Sequence, residues 1–97
     1  MSGQVVVQPL VRGDARAAGA LLAASHADYP AFAHVFPRPA QRHQVLVPFL
    51  TATAADAIAF GVCTGARDDE GLLGVALWLP PGTFPWSLRR KLRATPP

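Results

Sequence analysis

Cysteine is almost missing from this 97-residue chain, Cys63 being the sole example. That excludes a disulfide framework and any cysteine-rich zinc module. Lysine is as scarce, with Lys91 alone among nine basic residues. Charged residues make up 15% of the chain against 51% hydrophobic, the reverse of the balance that keeps a chain disordered. The longest apolar run, 71–81, is about half of the roughly 20 residues needed to cross a bilayer. No Lys or Arg precedes the first apolar run, since the chain opens Met1-Ser2-Gly3-Gln4, and a secretory signal requires one. These absences predict a single cytoplasmic domain over 1–97 with no membrane partner. A chain this size buries about 60–65% of its unfolded surface, enough for one core of modest depth.

The net charge of +3 and a pI near 10.0 invite a nucleic-acid partner. Four of the nine basic residues, Arg89, Arg90, Lys91 and Arg93, lie in the last twelve positions, and no acid offsets them there. The remaining five face six acids, so residues 1–85 carry about −1. No aromatic interleaves with the basic cluster, as single-strand binding would require. Arginine in place of lysine, with abundant alanine, fits a G+C-rich coding bias. No nucleic-acid partner is expected.

Periodicity divides the chain into an ordered series. Residues 4–11, with Val5-Val6-Val7, read as a strand stopped by Arg12-Gly13-Asp14. Asp14 is placed to cap a helix over 14–26, its carboxylate accepting free N–H groups. Ala18, Leu21, Leu22 and Ser25 form that helix's stripe. Pro30 and Pro37 bracket a segment expected to be irregular. A second helix is predicted over 40–59, with Leu46, Phe49, Leu50, Thr53, Ala57 and Ile58 on one face. Pro48 either kinks it or marks its true start. Residues 60–66 and 72–79 alternate as two strands of an antiparallel hairpin, joined by the polar turn 67–71. Residues 86–94 are expected to form a short basic helix. The result is an α+β fold in the order β-α-α-β-β, with helices on one face of an antiparallel sheet. Trp78 points opposite to Leu77, so both faces of the last strand should meet something apolar. Three strands and two helices leave that second face uncovered.

Four stretches resemble the N-terminal half of the GNAT superfamily, the acetyl-CoA-dependent N-acetyltransferases. Val7-Gln8-Pro9-Leu10-Val11-Arg12-Gly13-Asp14 is similar to the family's first strand and acidic cap. Asp28-Tyr29-Pro30-Ala31-Phe32 and Val35-Phe36-Pro37 resemble the loop between its first two helices. Asp69-Glu70-Gly71-Leu72-Leu73-Gly74-Val75-Ala76-Leu77-Trp78 resembles its acidic turn and the strand after it. Pro80-Pro81-Gly82-Thr83-Phe84-Pro85, followed by basic residues, looks like an insertion in a bacterial subgroup. The likeness rests on the order and spacing of the four, which run across nearly the whole chain.

The resemblance implies a partial acyl-CoA N-acyltransferase fold that transfers an acetyl group from acetyl-CoA to a small amine or a peptide amine. Tyr29, Phe32, Phe36 and Trp78 would line the acceptor side. The family holds the cofactor pyrophosphate on a Gln/Arg-x-x-Gly-x-Gly/Ala loop, and this chain has no Gly-x-Gly. It therefore reads as a truncation before that loop, with no cofactor-binding residues and no assigned catalytic residue. Tight binding of acetyl-CoA by 1–97 is not expected. The competing expectation is a non-catalytic remnant or small interaction module. His26, His34 and His43 are spaced by 8 and 9, fit no metal motif, and read as solvated or capping groups. Cys63 reads as a buried inert thiol. An apolar edge strand at 72–79 predicts self-association.

Overall fold

The computed structural model describes residues 4–80. The expected helix at 86–94 lies outside them. The order of elements is β1 (Val6–Pro9), a 3-10 turn (Arg12–Asp14), α1 (Ala15–Ser25), α2 (Pro30–Val35), α3 (Pro39–Phe60), β2 (Val62–Asp68) and β3 (Gly71–Trp78). The three strands form one antiparallel sheet in chain order, β1-β2-β3. The fold is mixed α+β.

Proline explains most of the differences from expectation. Residues 28–37 are not irregular throughout, because Pro30 opens α2 at its first position. Proline is preorganised there, and the N–H it lacks would have had no partner in any case. Pro39 opens α3 in the same way. Pro48 is therefore not a start: α3 runs through it for 22 residues. Pro48 and Gln44 are both exposed, so water can satisfy the Gln44 carbonyl that a residue-48 N–H would have bonded.

The helix faces also shift. Phe49 was expected in the core and is 55% exposed. The buried ridge is Arg42, Leu46, Leu50, Ala54 and Ala57. On α1 the buried positions are Ala18, Gly19 and Ala23, with Leu21 and Leu22 half-buried and Ser25 exposed. Gly19 sets this geometry. A methyl group there would overlap Thr51 of α3, with its Cβ within 2.7 Å. The two backbones come close at this point, so on α1 small residues and not the leucines hold the buried positions.

The hairpin is tighter than predicted. Phe60 ends α3 instead of opening β2, while β2 continues to Asp68, leaving only Asp69 and Glu70 as the turn. Asp68 Oδ1 accepts the Glu70 N–H at 2.8 Å. Gly71 has φ +132°, a conformation that glycine adopts without steric cost. The pairing shifts register between Ala66 and Arg67.

Two core clusters result. Ala23, Leu46 and Leu50 join α1 to α3, with Leu22, Phe32 and Val47 packed against them. Leu10, Ala57 and Cys63 join α3 to the sheet, with Ile58, Leu72, Val75, Leu77 and Leu79 around them. The helices thus cover one sheet face. On the other, Val7 is 70% exposed, Val62 68% and Trp78 68%. Trp78 lies opposite to Leu77 as its parity requires, and no described residue covers it. By length and composition one helix, α3, could cross a membrane, although no apolar run in the sequence is that long. Its arginine and aspartate, Arg42 and Asp56, are both buried in this packing.

Candidate functional site

The segment between α1 and α3 carries the densest group of functional side chains. His26 caps the end of α1, and its Nδ1 lies 2.8 Å from the Leu22 carbonyl and 3.0 Å from Ser25 Oγ. The His26 carbonyl accepts the Tyr29 N–H at 3.0 Å, and the Tyr29 carbonyl accepts the Ala33 N–H at 3.0 Å. This ladder brings three rings together at tilted and edge-on angles. Tyr29 and Phe32 have centroids 5.8 Å apart, with His26 6.2 Å from Tyr29 and 6.4 Å from Phe32. Phe32 anchors the group in the helix–helix core, whereas Tyr29 is 56% exposed.

Arg42 holds this segment in place. Its side chain is buried on α3 and donates Nε to Phe36 O at 2.8 Å, Nη1 to Ala27 O at 2.7 Å and Nη2 to Pro37 O at 3.1 Å. One guanidinium thereby fastens both ends of the 27–37 segment through the Ala27, Phe36 and Pro37 carbonyls. The planar five-donor fork suits this task, which a lysine could not perform. Asp28 Oδ1 lies 3.9 Å from Nη1, but its side chain is fully exposed, so the pair adds little.

The structure joins Tyr29 and Phe32, which the sequence proposed as acceptor wall, and adds His26. Phe36 is tied through its carbonyl to Arg42, and its ring makes no ring contact with the group among the described residues. Trp78 sits apart, on the uncovered sheet face and paired with Val62. Sequence reasoning missed Arg42 because a basic residue on a helix is ordinarily solvated. The available signal was its place one turn before Leu46 and Leu50, beside two prolines that leave carbonyls unbonded.

Asp14 also departs from expectation. It caps no helix N–H with its side chain. Instead Oδ2 accepts the Val11 N–H at 2.8 Å, and Oδ1 meets Arg67 Nη2 at 3.1 Å. The Val11 N–H and then the Arg67 hydrogen bond hold its carboxyl below the ordinary value of 3.8. This pair ties the entry of α1 to β2.

Among the described residues no helix start offers a full set of N–H donors to an anion. Those of α2 and α3 begin with proline, which removes a donor. At α1 the Asp14 carboxylate stands at the entry, where an anion would be repelled. Cys63 is buried, His34 and His43 are exposed, and no group of three or more potential metal ligands occurs among the described residues. The chain matches no family model, curated protein or solved structure.

Proposed function

We propose that this chain is the acceptor side of an acetyl-CoA-dependent N-acetyltransferase. The observation that carries the reading is architectural. A β–helices–β–β series builds a three-stranded antiparallel sheet in chain order, with helices on one face only. Among the described residues nothing covers its apolar second face or the β3 edge, as the first half of such a domain would leave them. The Tyr29–Phe32 pair, on a segment whose two ends Arg42 fastens, supplies an apolar wall that would orient an amine-bearing substrate. The acceptor would be a small amine or a peptide amine, and the compartment cytoplasmic. The pyrophosphate site belongs to sequence beyond the described residues, so no catalytic residue is assigned to 1–97.

A non-catalytic interaction module is the second reading, favoured by the absence of any Gly-x-Gly. Determining the DNA that follows codon 97 separates the two. The enzymatic reading expects a Gln/Arg-x-x-Gly-x-Gly/Ala loop and a helix encoded there in some frame. Downstream sequence without such a loop would overturn it.

A further inference from the structure

Resting on the acceptor reading of the Tyr29–Phe32 wall, we infer that His26 Nε2 accepts a hydrogen bond from the ammonium group of the bound amine. The site then takes a primary ammonium on a short apolar arm and discriminates against a quaternary one. Nδ1 of His26 lies 2.8 Å from the Leu22 carbonyl oxygen, a group that can only accept. Nδ1 therefore carries a proton. Ser25 Oγ, 3.0 Å away, shares that proton while its own hydroxyl donates to the same carbonyl. In a neutral imidazole one nitrogen donates and the other accepts. The Leu22 carbonyl thus fixes the tautomer and leaves the lone pair on Nε2.

The ring makes all of its hydrogen bonds at Nδ1. Nε2 has no partner among the described residues, nor is it one of the buried polar atoms that lack one. It faces solvent on a half-buried ring. The neighbouring rings suit a cation. Tyr29 lies 6.2 Å from the imidazole, centroid to centroid, with more than half of its surface exposed. An ammonium on Nε2 has two further N–H groups and can rest against that ring, within the roughly 6 Å range of cation–π attraction. Phe32, at 6.4 Å, offers apolar surface to the arm. The charges nearby have the right sign. Asp28 keeps its carboxylate fully exposed two residues on, while Arg42 of α3 is buried and spends its donors on three carbonyls. His34 of α2 and His43 of α3 are exposed and make no ring contact with His26 among the described residues. On α1 no ionisable residue lies between Arg16 and His26.

A nitrogen–proton NMR titration of the 1–97 chain with phenethylammonium, at about pH 8 and about pH 5, tests this. Histidine changes charge across that interval, whereas an alkylammonium titrates only near about 10.4. At the higher pH the Nε2 resonance of His26 should move with added amine and Nδ1 should not. Affinity should fall about tenfold at the lower pH, where a protonated Nε2 cannot accept and the ring repels the cation. At the higher pH the trimethylated ammonium, which has no N–H, should bind about tenfold more weakly than the primary one. His26→Asn keeps a donor for the Leu22 carbonyl but does not titrate, and should abolish the pH dependence. Should it fail to fold by circular dichroism, the ring spectrum of the unaltered chain decides, and a bare Nδ1 with a protonated Nε2 would overturn the proposal. A pH dependence that survives in His26→Asn would assign it to Asp28 and overturn it as well. Equal, pH-independent binding of both ammoniums at 29–32 would remove the role of His26 and keep the wall. Binding of neither would remove the wall with it.

Discussion

Asp14 and Arg42 show how single residues acquire roles their type does not announce. Asp14 has the composition and position of a helix cap, and that much was legible. Its carboxylate turned to Val11 N–H and Arg67 instead, because β2 brought a cation 53 positions away in sequence. No local pattern encodes such a contact. Since its folded pKa is lowered, the stabilisation is present above the unfolded value near 3.8 and is lost as pH falls through the folded value. Asp14→Asn should therefore lower stability at neutral pH and cost little under strongly acidic conditions. Urea melts at both pH values check this, and an equal loss at both would refute it. Arg42→Ala removes three part-buried hydrogen bonds and should cost on the order of 3 kcal/mol. Arg42→Lys should recover little of it, as thermal unfolding would show.

At the scale of elements, the strands, α1 and α3 were readable from the change of period, α2 was missed because Pro30 and Pro37 read as breakers, and boundaries failed where proline or tight turns decided them. Alternation located β2 and β3, but the turn shrank to two residues because Asp68 and Gly71 supply the needed hydrogen bond and φ. The α3 stripe correctly placed Leu46, Leu50 and Ala57 inside but included the exposed Phe49, while on α1 the contact follows Ala18, Gly19 and Ala23 and not the leucines. Hydrophobicity alone does not report how closely two backbones approach. Gly19→Ala is the direct test. Alanine improves helix propensity by about 1 kcal/mol, yet its methyl would overlap Thr51 and force the helices apart at a cost of about 1–3 kcal/mol. The overlap reaches backbone, so the cost should win. The melting temperature should drop by several degrees, and a rise would contradict the close helix contact.

For the molecule as a whole, a sheet face that no described residue covers was legible in the sequence, because Trp78 and Leu77 cannot share a face. The aromatic wall was half legible. Tyr29 and Phe32 meet, but Phe36 contributes a carbonyl and Trp78 lies across the sheet, since the α1–α3 segment and the end of β3 pack in different clusters. The central claim is that 1–97 presents an amine-acceptor surface without its own cofactor site. A nitrogen–proton NMR titration of the chain with a panel of primary amines and then acetyl-CoA, at physiological salt, tests both halves in one sample. Amines are predicted to shift the amides of residues 29–36, while acetyl-CoA produces at most weak, salt-sensitive shifts. Amine responses absent from 29–36, or micromolar and salt-insensitive saturation by acetyl-CoA, would contradict it.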